Sequence, residues 1–320
     1  MKNVVEKCQV ALVLVAAVFA VAPALAQYPD RPIELVVPWA AGGGTDAMAR
    51  AFADAAKRHS SQPLVITNKP GATGSIGFSD VARATPDGYK VSVLTAELLI
   101  IPHMGIGKVS QEDFIPIARF NSLASAITVR ADAPWNTVEE FLAHARRSPG
   151  NVKVGNSGVG SIWHLAAAAV QDKAGVQFNH IPFQGGNPAV LALLGGHIDA
   201  ATVSTAEVLT YVASGKLKTL AVMSDKRIKG FEAVPTLKER NIDLSVGSWA
   251  GLGVPKNSPA QAVNYLKMVA AKTITEPALL ETMDKLLLNP AYADDVAFKS
   301  QMMRDSEYFR VLVDNLKLKN

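Results

Sequence analysis

The sequence predicts an α/β protein of two doubly wound domains with a central cleft. Strand-type and helix-type segments alternate along the chain, a pattern typical of a parallel sheet covered by helices on both faces. A strand, a glycine-rich loop and a helix follow one another twice in the first half and twice in the middle of the chain. The 320 residues, 49% of them hydrophobic, are enough for two such domains.

The first 26 residues are predicted to be a secretory signal peptide. Lys2 and Lys7 precede an uncharged run, residues 8–26, which ends in Ala-Leu-Ala. A basic start, an apolar middle and an A-x-A site predict cleavage before Gln27 and a periplasmic location. A retained membrane anchor is the alternative interpretation.

Cleavage would leave a chain with little to attract nucleic acid and no thiol chemistry. Cys8 is the only cysteine, so the mature chain would hold neither a disulfide nor a catalytic cysteine. Loss of the leader lowers the formal net charge from +4 to +3. No run of basic residues accompanies this small excess, so we expect no nucleic-acid partner.

The segment from Leu35 to Asp46 is the first candidate site. An apolar run ends at Pro38, three glycines follow at 42–44, and Thr45 opens an amphipathic helix that continues to His59. The first N–H groups of a helix have no partners within it, and the helix dipole is positive there. Glycines let a ligand approach the backbone, so the segment predicts a site for a small carboxylate.

Two other interpretations fit the same glycines. The loop can be a tight bend whose Thr45 or Asp46 only caps the helix. Gly42, Gly44 and Ala47 also satisfy the dinucleotide pattern G-x-G-x-x-A. Against the dinucleotide, Asp46 stands where the pyrophosphate would dock, and the next strand is followed by Asn68 instead of an acidic residue.

The elements after this loop are predicted from periodicity, glycines and caps. In the first half we expect strands at 64–67, 90–95, 115–120 and 126–129, a helix ending near 83, and a capping box of Thr137 and Glu140 that opens a helix to 147. In the middle we expect strands at 152–155, 179–181, 197–203 and 217–223, and helices at 162–174, before 195 and from 204 to 215.

The last 85 residues set the predicted domain organisation. After Thr236 we expect one strand, at 249–254, and helices at 259–275, 277–287 and 296–316. A single strand with helices cannot form an α/β domain alone, so this tail should pack on the first unit. The prediction is a first domain of residues 27–122 plus 222–320 and a second domain of residues 123–221, joined by two crossings.

Short motifs spread in order over the whole mature chain resemble one protein family. The motifs are Tyr28-Pro29-Asp30-Arg31-Pro32-Ile33, Val36-Val37-Pro38-Trp39, Gly42-Gly43-Gly44-Thr45-Asp46, Asn68-Lys69-Pro70-Gly71-Ala72, Pro86-Asp87-Gly88-Tyr89, Phe114-Ile115-Pro116-Ile117-Ala118, Gly158-Val159-Gly160-Ser161, Ile181-Pro182-Phe183-Gln184-Gly185-Gly186, Leu194-Gly195-Gly196-His197-Ile198-Asp199 and Val234-Pro235-Thr236. They resemble the Bug (TctC-like) family, the periplasmic solute receptors of tripartite tricarboxylate transporters.

The resemblance implies a Venus flytrap receptor, type II-like, that closes on a small organic carboxylate and carries out no catalysis. It implies the following ligand-binding residues: Trp39, Ala41, Gly43, Thr45 and Asp46 in the first lobe, and Ser157, Gly160, Ser161, His164, Gln184, Gly185, Gly186 and Ser204 in the second. Opposed loops of N–H and hydroxyl groups can hold an anion, each bond to a charged acceptor contributing about 1.5 to 3 kcal/mol. The partners implied are the membrane subunits of a transporter or a sensor, with no cofactor or metal, and we expect a monomer.

The sequence departs from the family pattern at three places. Ala40 and Ala41 stand where many members carry a proline, and residues 202–205 replace a segment that often holds an aspartate. Glu97 stands where small hydroxyl residues are usual. Inside the cleft, Glu97 would disfavour a second ligand carboxylate and pair with an amine or hydroxyl; outside the cleft it would have no role.

A secreted α/β hydrolase is the alternative function. The nucleophile-elbow pattern G-x-S-x-G fails at Val159, the last position of the segment 155–159. The six histidines show no metal-ligand spacing. His164 follows Ser161 by three residues at a helix start, where it can bind a ligand or can cap the helix and pack in the core. None of these patterns predicts a catalytic site.

Overall fold

The computed structural model describes residues 28–318, so the predicted signal peptide lies outside the described residues. The strands are β1 (Ile33–Val37), β2 (Leu64–Asn68), β3 (Lys90–Thr95), β4 (Phe114–Arg130), β5 (Lys153–Asn156), β6 (Asn179–Pro182), β7 (Ala200–Ser204), β8 (Leu217–Met223), β9 (Gly247–Pro255) and β10 (Pro290–Asp294). The helices are α1 (Gly44–Ala56), α2 (Ser75–Ala82), α3 (Glu97–Met104), α4 (Val138–Arg147), α5 (Ile162–Ala174), α6 (Gly186–Leu194), α7 (Thr205–Ala213), α8 (Ala260–Thr273), α9 (Pro277–Lys285) and α10 (Asp295–Asn315). Within residues 28–318, no helix is long and apolar enough to cross a membrane.

The sheet is mixed, not parallel throughout as the alternation predicted. Strands β2, β1 and β3 are parallel neighbours, as are β6, β5 and β7. Between these two parallel groups lie β9 and β4, which are antiparallel to their neighbours. Each parallel group places its strand ends and following loops at one edge, and the antiparallel pair connects the two groups.

Strand β4 is one continuous strand of 17 residues, where the sequence predicted two. Its first part, to Ala124, pairs with β9, and its last part, from Ser125, pairs with β7 and β8. Asn121, expected in a loop, stays in the ladder because its Oδ1 accepts the Ala250 N–H at 2.8 Å. The register shift beside it bends the strand without ending it.

The chain crosses back between the lobes at the end of a long connection. Met223, the last residue of β8, still pairs with Ser125 of the second sheet. Val246 donates its N–H to the Met223 carbonyl and accepts from the Ser125 N–H, and Gly247 then pairs with Ala124. Two adjacent strands therefore form the connection between the lobes.

Two hydrophobic layers cover the first-lobe part of the sheet. On one face α1, α8 and α9 pack over Ile33, Leu35 and Phe120, with the Phe52 and Phe120 rings stacked at 4.2 Å. On the other face α2, α3 and α10 join a core that continues into the second lobe. The apolar positions recurring at helical spacing in α1 are the ones buried in this packing.

Two elements were missed because neither shows the expected periodicity. Helix α3 is apolar all round, with Leu98, Leu99, Ile100 and Ile101 buried, so no polar face marks it as a helix. Strand β10 pairs irregularly with β4 and carries charge at its end. The prediction of a single strand after Thr236 was therefore wrong. In the structure α8 and α9 contact α1, and α10 contacts α3 and β4.

Gly251 provides a stability test of the β4–β9 connection. A Cβ at this position would lie 2.6 Å from both the Ala118 carbonyl oxygen and the Phe298 ring. We expect Gly251→Ala to lower the free energy of unfolding by about 1 to 3 kcal/mol, since neither strand backbone nor buried ring can give way easily. Gly253→Ala meets the Leu94 side chain, which can change rotamer, and should lose less in the same urea titration.

Candidate functional site

A small cavity lies between the lobes, where loops after strands of both sheets meet. Its free volume is about 30 Å³, room for about one water molecule. Seven of the residues predicted from the sequence line it: Trp39, Gly43, Thr45, Ser157, Gly185, Gly186 and Ser204. The first glycine loop therefore faces the second lobe across a cleft, as the prediction requires.

The two lobes are closed on each other in this structure. Thr73 of the first lobe donates its hydroxyl to the Val159 carbonyl of the second at 2.6 Å. The Ile162 N–H, at the start of α5, donates to Glu97 Oε1 at 3.2 Å. These two contacts connect the lobes directly, and the cavity that remains between them is small.

Asp46 holds the first glycine loop in shape from behind. Its carboxylate accepts the Gly42 N–H and Arg50 Nε–H, both at 2.9 Å, and the Asn68 amide at 2.9 Å. Burial alone would raise the pKa of Asp46, but these three hydrogen bonds and the charge of Arg50 hold it below its ordinary value. Asp46 does not line the cavity; it fixes the loop that does.

The other predicted contacts also lie outside the cavity lining in this closed arrangement. Ala41 and Gln184 are exposed. Ser161 caps α5 by accepting the His164 N–H, and Gly160 donates its N–H to His164 Nδ1 at 3.1 Å. These residues shape the loop after β5, so their contact with a ligand stays a prediction.

The buried His164 makes the free energy of unfolding depend on pH. Burial, and secondarily the neighbouring His180, lower the pKa of His164 from 6.5 to about 4. The unfolded chain therefore binds a proton that the folded chain does not between pH 6.5 and about 4. Above pH 6.5 His164 is neutral in both states and does not make the free energy of unfolding depend on pH. As the pH falls from 6.5 to about 4, the free energy of unfolding decreases by at most about 1.4 kcal/mol per pH unit.

We therefore expect His164→Gln to flatten the acid side of the stability profile. Urea titrations at pH 7, 6, 5 and 4 would show the free energy of unfolding of the variant falling less steeply than that of the wild type. Parallel profiles for the two proteins would show that protonation of His164 is not coupled to unfolding.

Glu97, whose location the sequence left open, lies in the cavity wall and is buried. Its carboxyl group accepts from the Thr95 hydroxyl at 2.5 Å and from the Ile162 N–H. Burial raises the pKa of Glu97, and the nearby charge of Glu207 raises it further.

Glu207 occupies the position that the sequence analysis assigned to a ligand carboxylate. It belongs to the second lobe, yet its side chain lies beside Gly43 and Gly44 of the first glycine loop. The Ser204 N–H and hydroxyl donate to its carboxyl group, at 3.0 and 2.9 Å. Burial raises the pKa of Glu207 despite these hydrogen bonds.

Two buried donors in the cavity wall lack a protein acceptor within residues 28–318. They are the Asn121 amide nitrogen, Nδ2, and the Ser157 hydroxyl. A buried polar group without a partner costs about 1 to 3 kcal/mol, so both groups gain from an acceptor on a ligand. No cluster of three or more potential metal ligands occurs in the part of the chain that the structure describes.

Sequence reasoning missed Asn121, Trp163, Glu207, Ser248 and Trp249, all of which line the cavity. The sequence placed Asn121 between two predicted strands and Trp249 at the start of another, and it did not bring the two together, because their proximity depends on the pairing of β4 with β9. Ser204 and Glu207 form an S-x-x-E capping box. That pattern predicts only a helix start, so it does not indicate that Glu207 also lines the cavity.

Two lobes joined by paired crossing strands, with a small polar cavity between them, are the architecture of a bilobal solute-binding protein. The sequence model of the tripartite tricarboxylate transporter family receptor, TctC, matches residues 48–317. The chain belongs to this family.

Relatives and solved structures agree with this assignment. The chain is 31% identical to the UPF0065 protein in the gbd 5′ region of Cupriavidus necator, over 99% of this chain and 98% of that protein. It superposes on the periplasmic binding protein BugD with a TM-score of 0.87 at 30% identity, covering 91% of this chain and 99% of BugD. A ligand-free TctC solute-binding protein from Polaromonas is 58% identical, with 90% and 99% coverage and a TM-score of 0.67.

The predicted family, fold class and receptor function are thus confirmed. The family and the similar structures are receptors, not enzymes, and nothing in them supports the hydrolase alternative. The solved relatives are periplasmic binding proteins, which agrees with the location that the leader predicts.

Proposed function

We propose that the protein captures a small organic carboxylate between its lobes in the periplasm. The observation that carries the proposal is the pair of buried, unpartnered donors, Asn121 Nδ2 and Ser157 Oγ, in the wall of the interlobe cavity. A carboxylate accepts from both and so removes two desolvation costs at once. The helix N-termini of α1 and α6, at Gly44 and Gly186, add a favourable field for an anion.

Capture depends on a change in lobe arrangement. The cavity of about 30 Å³ is too small for the entry of an organic acid, so the ligand binds an open form and favours closure. The ligand-free Polaromonas relative supports this mechanism: at 58% identity it superposes less well than BugD at 30% identity. A higher sequence identity with a lower TM-score is expected when the individual lobes are similar but the angle between them differs.

We also propose where the two lobes begin and end and which partners the receptor serves. The first lobe comprises residues 27–122 plus 222–320 and the second residues 123–221, with the hinge in β4 and β9. The change of strand partners between Ala124 and Ser125 supports the first boundary, and the partner change at Val246 and Gly247 favours a later return crossing. The receptor acts as a monomer that delivers its ligand to transporter membrane subunits or a sensor.

The test is a binding screen with the mature chain, residues 27–320. Thermal-shift measurements and calorimetry with small mono- and dicarboxylates, aromatic acids and amino acids should show saturable stabilisation by a carboxylate. Chromatography of the mixture should recover the ligand unchanged. Appearance of a product, or binding only of molecules without a carboxylate, would overturn the proposal.

A further inference from the structure

The wall of the interlobe cavity combines acidic and aromatic side chains. Glu97 and Glu207 line it together with the indole rings of Trp39, Trp163 and Trp249. Among the described residues that line the cavity there is no lysine, arginine or histidine. Neither carboxylate has a cationic side chain within 4.0 Å in residues 28–318. The cavity is therefore rich in groups that attract cations and lacks those that attract anions strongly.

The protein holds both glutamates as hydrogen-bond acceptors. Glu97 accepts from Thr95 and the Ile162 N–H, and Glu207 accepts from the Ser204 N–H and hydroxyl. Each also lies in the first turn of its helix, α3 or α7, where the helix dipole favours negative charge. Burial nevertheless raises the pKa of both carboxyl groups, so a cation in the cavity is the partner that would favour their ionised form.

Two of the three tryptophans that line the cavity have their indole N–H groups paired with protein groups. Trp39 donates its Nε1–H to Thr95 at 3.4 Å, and Trp249 donates its Nε1–H to Asp305 at 2.8 Å. With these N–H groups paired, the rings of Trp39 and Trp249 can offer a ligand only their carbon atoms. An indole ring is the aromatic side chain that attracts an organic cation most strongly.

The orphaned donors show that a ligand also brings an acceptor. Asn121 Nδ2 and Ser157 Oγ are buried in the same wall without protein acceptors. A ligand that carried only negative charge would satisfy them but would meet two buried glutamates. A ligand that carried only positive charge would leave them unpaired.

We propose that the ligand is a zwitterion: its carboxylate binds Asn121 and Ser157, and its ammonium or other organic cation binds Glu97, Glu207 and the indole rings. This inference rests on the proposed carboxylate-binding function and adds the second charge to it. Glu97 and Glu207 are then the residues that distinguish amino acids and betaines from simple acids. A bound cation compensates the charge of these buried carboxylates and so lowers the cost of ionising them.

The first experiment probes the cation subsite without a particular ligand skeleton. Methylammonium and tetramethylammonium chloride are added to the mature protein, with sodium chloride at equal ionic strength as reference, and the unfolding temperature is measured. We expect a stabilisation that is specific to the organic cations in the wild type and absent from the E97Q/E207Q double variant. Equal curves for wild type and variant overturn the inference, whichever ligand the receptor takes.

The second experiment separates the two proposals. Calorimetry compares pairs of equal chain length, such as β-alanine with propionate and 4-aminobutyrate with butyrate, and includes propylammonium and the trimethylammonium analogues. We expect the zwitterions to bind at least about 10-fold more tightly than their acids, and E97Q/E207Q to abolish that preference. If the acids bind as tightly as the zwitterions, the inferred cation subsite is wrong and the proposed carboxylate-binding function stands. If the cations bind without a carboxylate, the proposed function is wrong and the cation subsite stands.

Discussion

Asp46→Ala is expected to lower both the free energy of unfolding and the affinity for ligand. The Asp46 carboxylate is 3% exposed and receives hydrogen bonds from Gly42, Arg50 and Asn68. Removal leaves the Gly42 N–H and the Asn68 amide without their acceptor. We expect a loss of about 2 to 4 kcal/mol, most of it from these two unpaired groups, because Arg50 is half exposed and can be rehydrated.

The affinity should fall with the same substitution because Gly43 and Gly44 follow directly in the loop that lines the cavity. Chemical denaturation measures the first effect and calorimetry the second. Asp54→Ala is the matched control, since Asp54 lies on the same helix with an exposed carboxylate paired to Lys57. It should change neither quantity noticeably. An Asp46→Ala protein as stable as the wild type would contradict the structural role given to this carboxylate.

Ser157→Ala is expected to weaken ligand binding by about 10- to 100-fold without loss of stability. The Ser157 hydroxyl is buried in the cavity wall without a protein acceptor within the described residues. Its removal takes away a hydrogen bond that only the bound state makes. Because the same removal also eliminates an unsatisfied polar group, the free energy of unfolding should stay equal or rise by about 1 kcal/mol.

Ser125→Ala separates these two effects. The Ser125 hydroxyl is likewise buried and unpartnered among residues 28–318, but it does not line the cavity. This variant should share the stability change of Ser157→Ala and bind ligand normally. Equal losses of affinity in both variants would assign the effect to the hinge strand and not to the cavity.

The fold could be predicted from the sequence wherever local signals determine an element. The predicted helix at 162–174 and strand at 217–223 agree with α5 and β8 residue for residue, because an N-cap serine, glycines and turns mark their ends. Thr137 accepts the Glu140 N–H at 3.2 Å, which is half of the predicted capping box, whereas the Glu140 carboxylate accepts the Asn136 N–H and not that of Thr137. The crossing of β4 could not be predicted, since it depends on pairing with β9 more than a hundred residues later.

The site shows the same division between local and distant determinants. The loop of Gly43 and Thr45 could be found because glycines before a helix start are a local pattern. Asn121 and Glu207 enter the cavity through strand crossing and lobe closure, which leave no pattern nearby in the chain. Asp46 shows the limit of a motif: the pattern found the residue, whereas the structure places it behind the loop, not in the cavity.

The claim on which the mechanism depends is that the ligand draws the two lobes together. A chain of residues 27–320 lacks Cys8 and therefore has no cysteine, so spin labels can be placed at Arg83→Cys in the first lobe and Lys173→Cys in the second, both at exposed positions. Pulsed electron paramagnetic resonance should show a broad distance distribution without ligand and a shorter, narrow one at saturation. Saturable binding with an unchanged distance distribution would contradict capture between closing lobes.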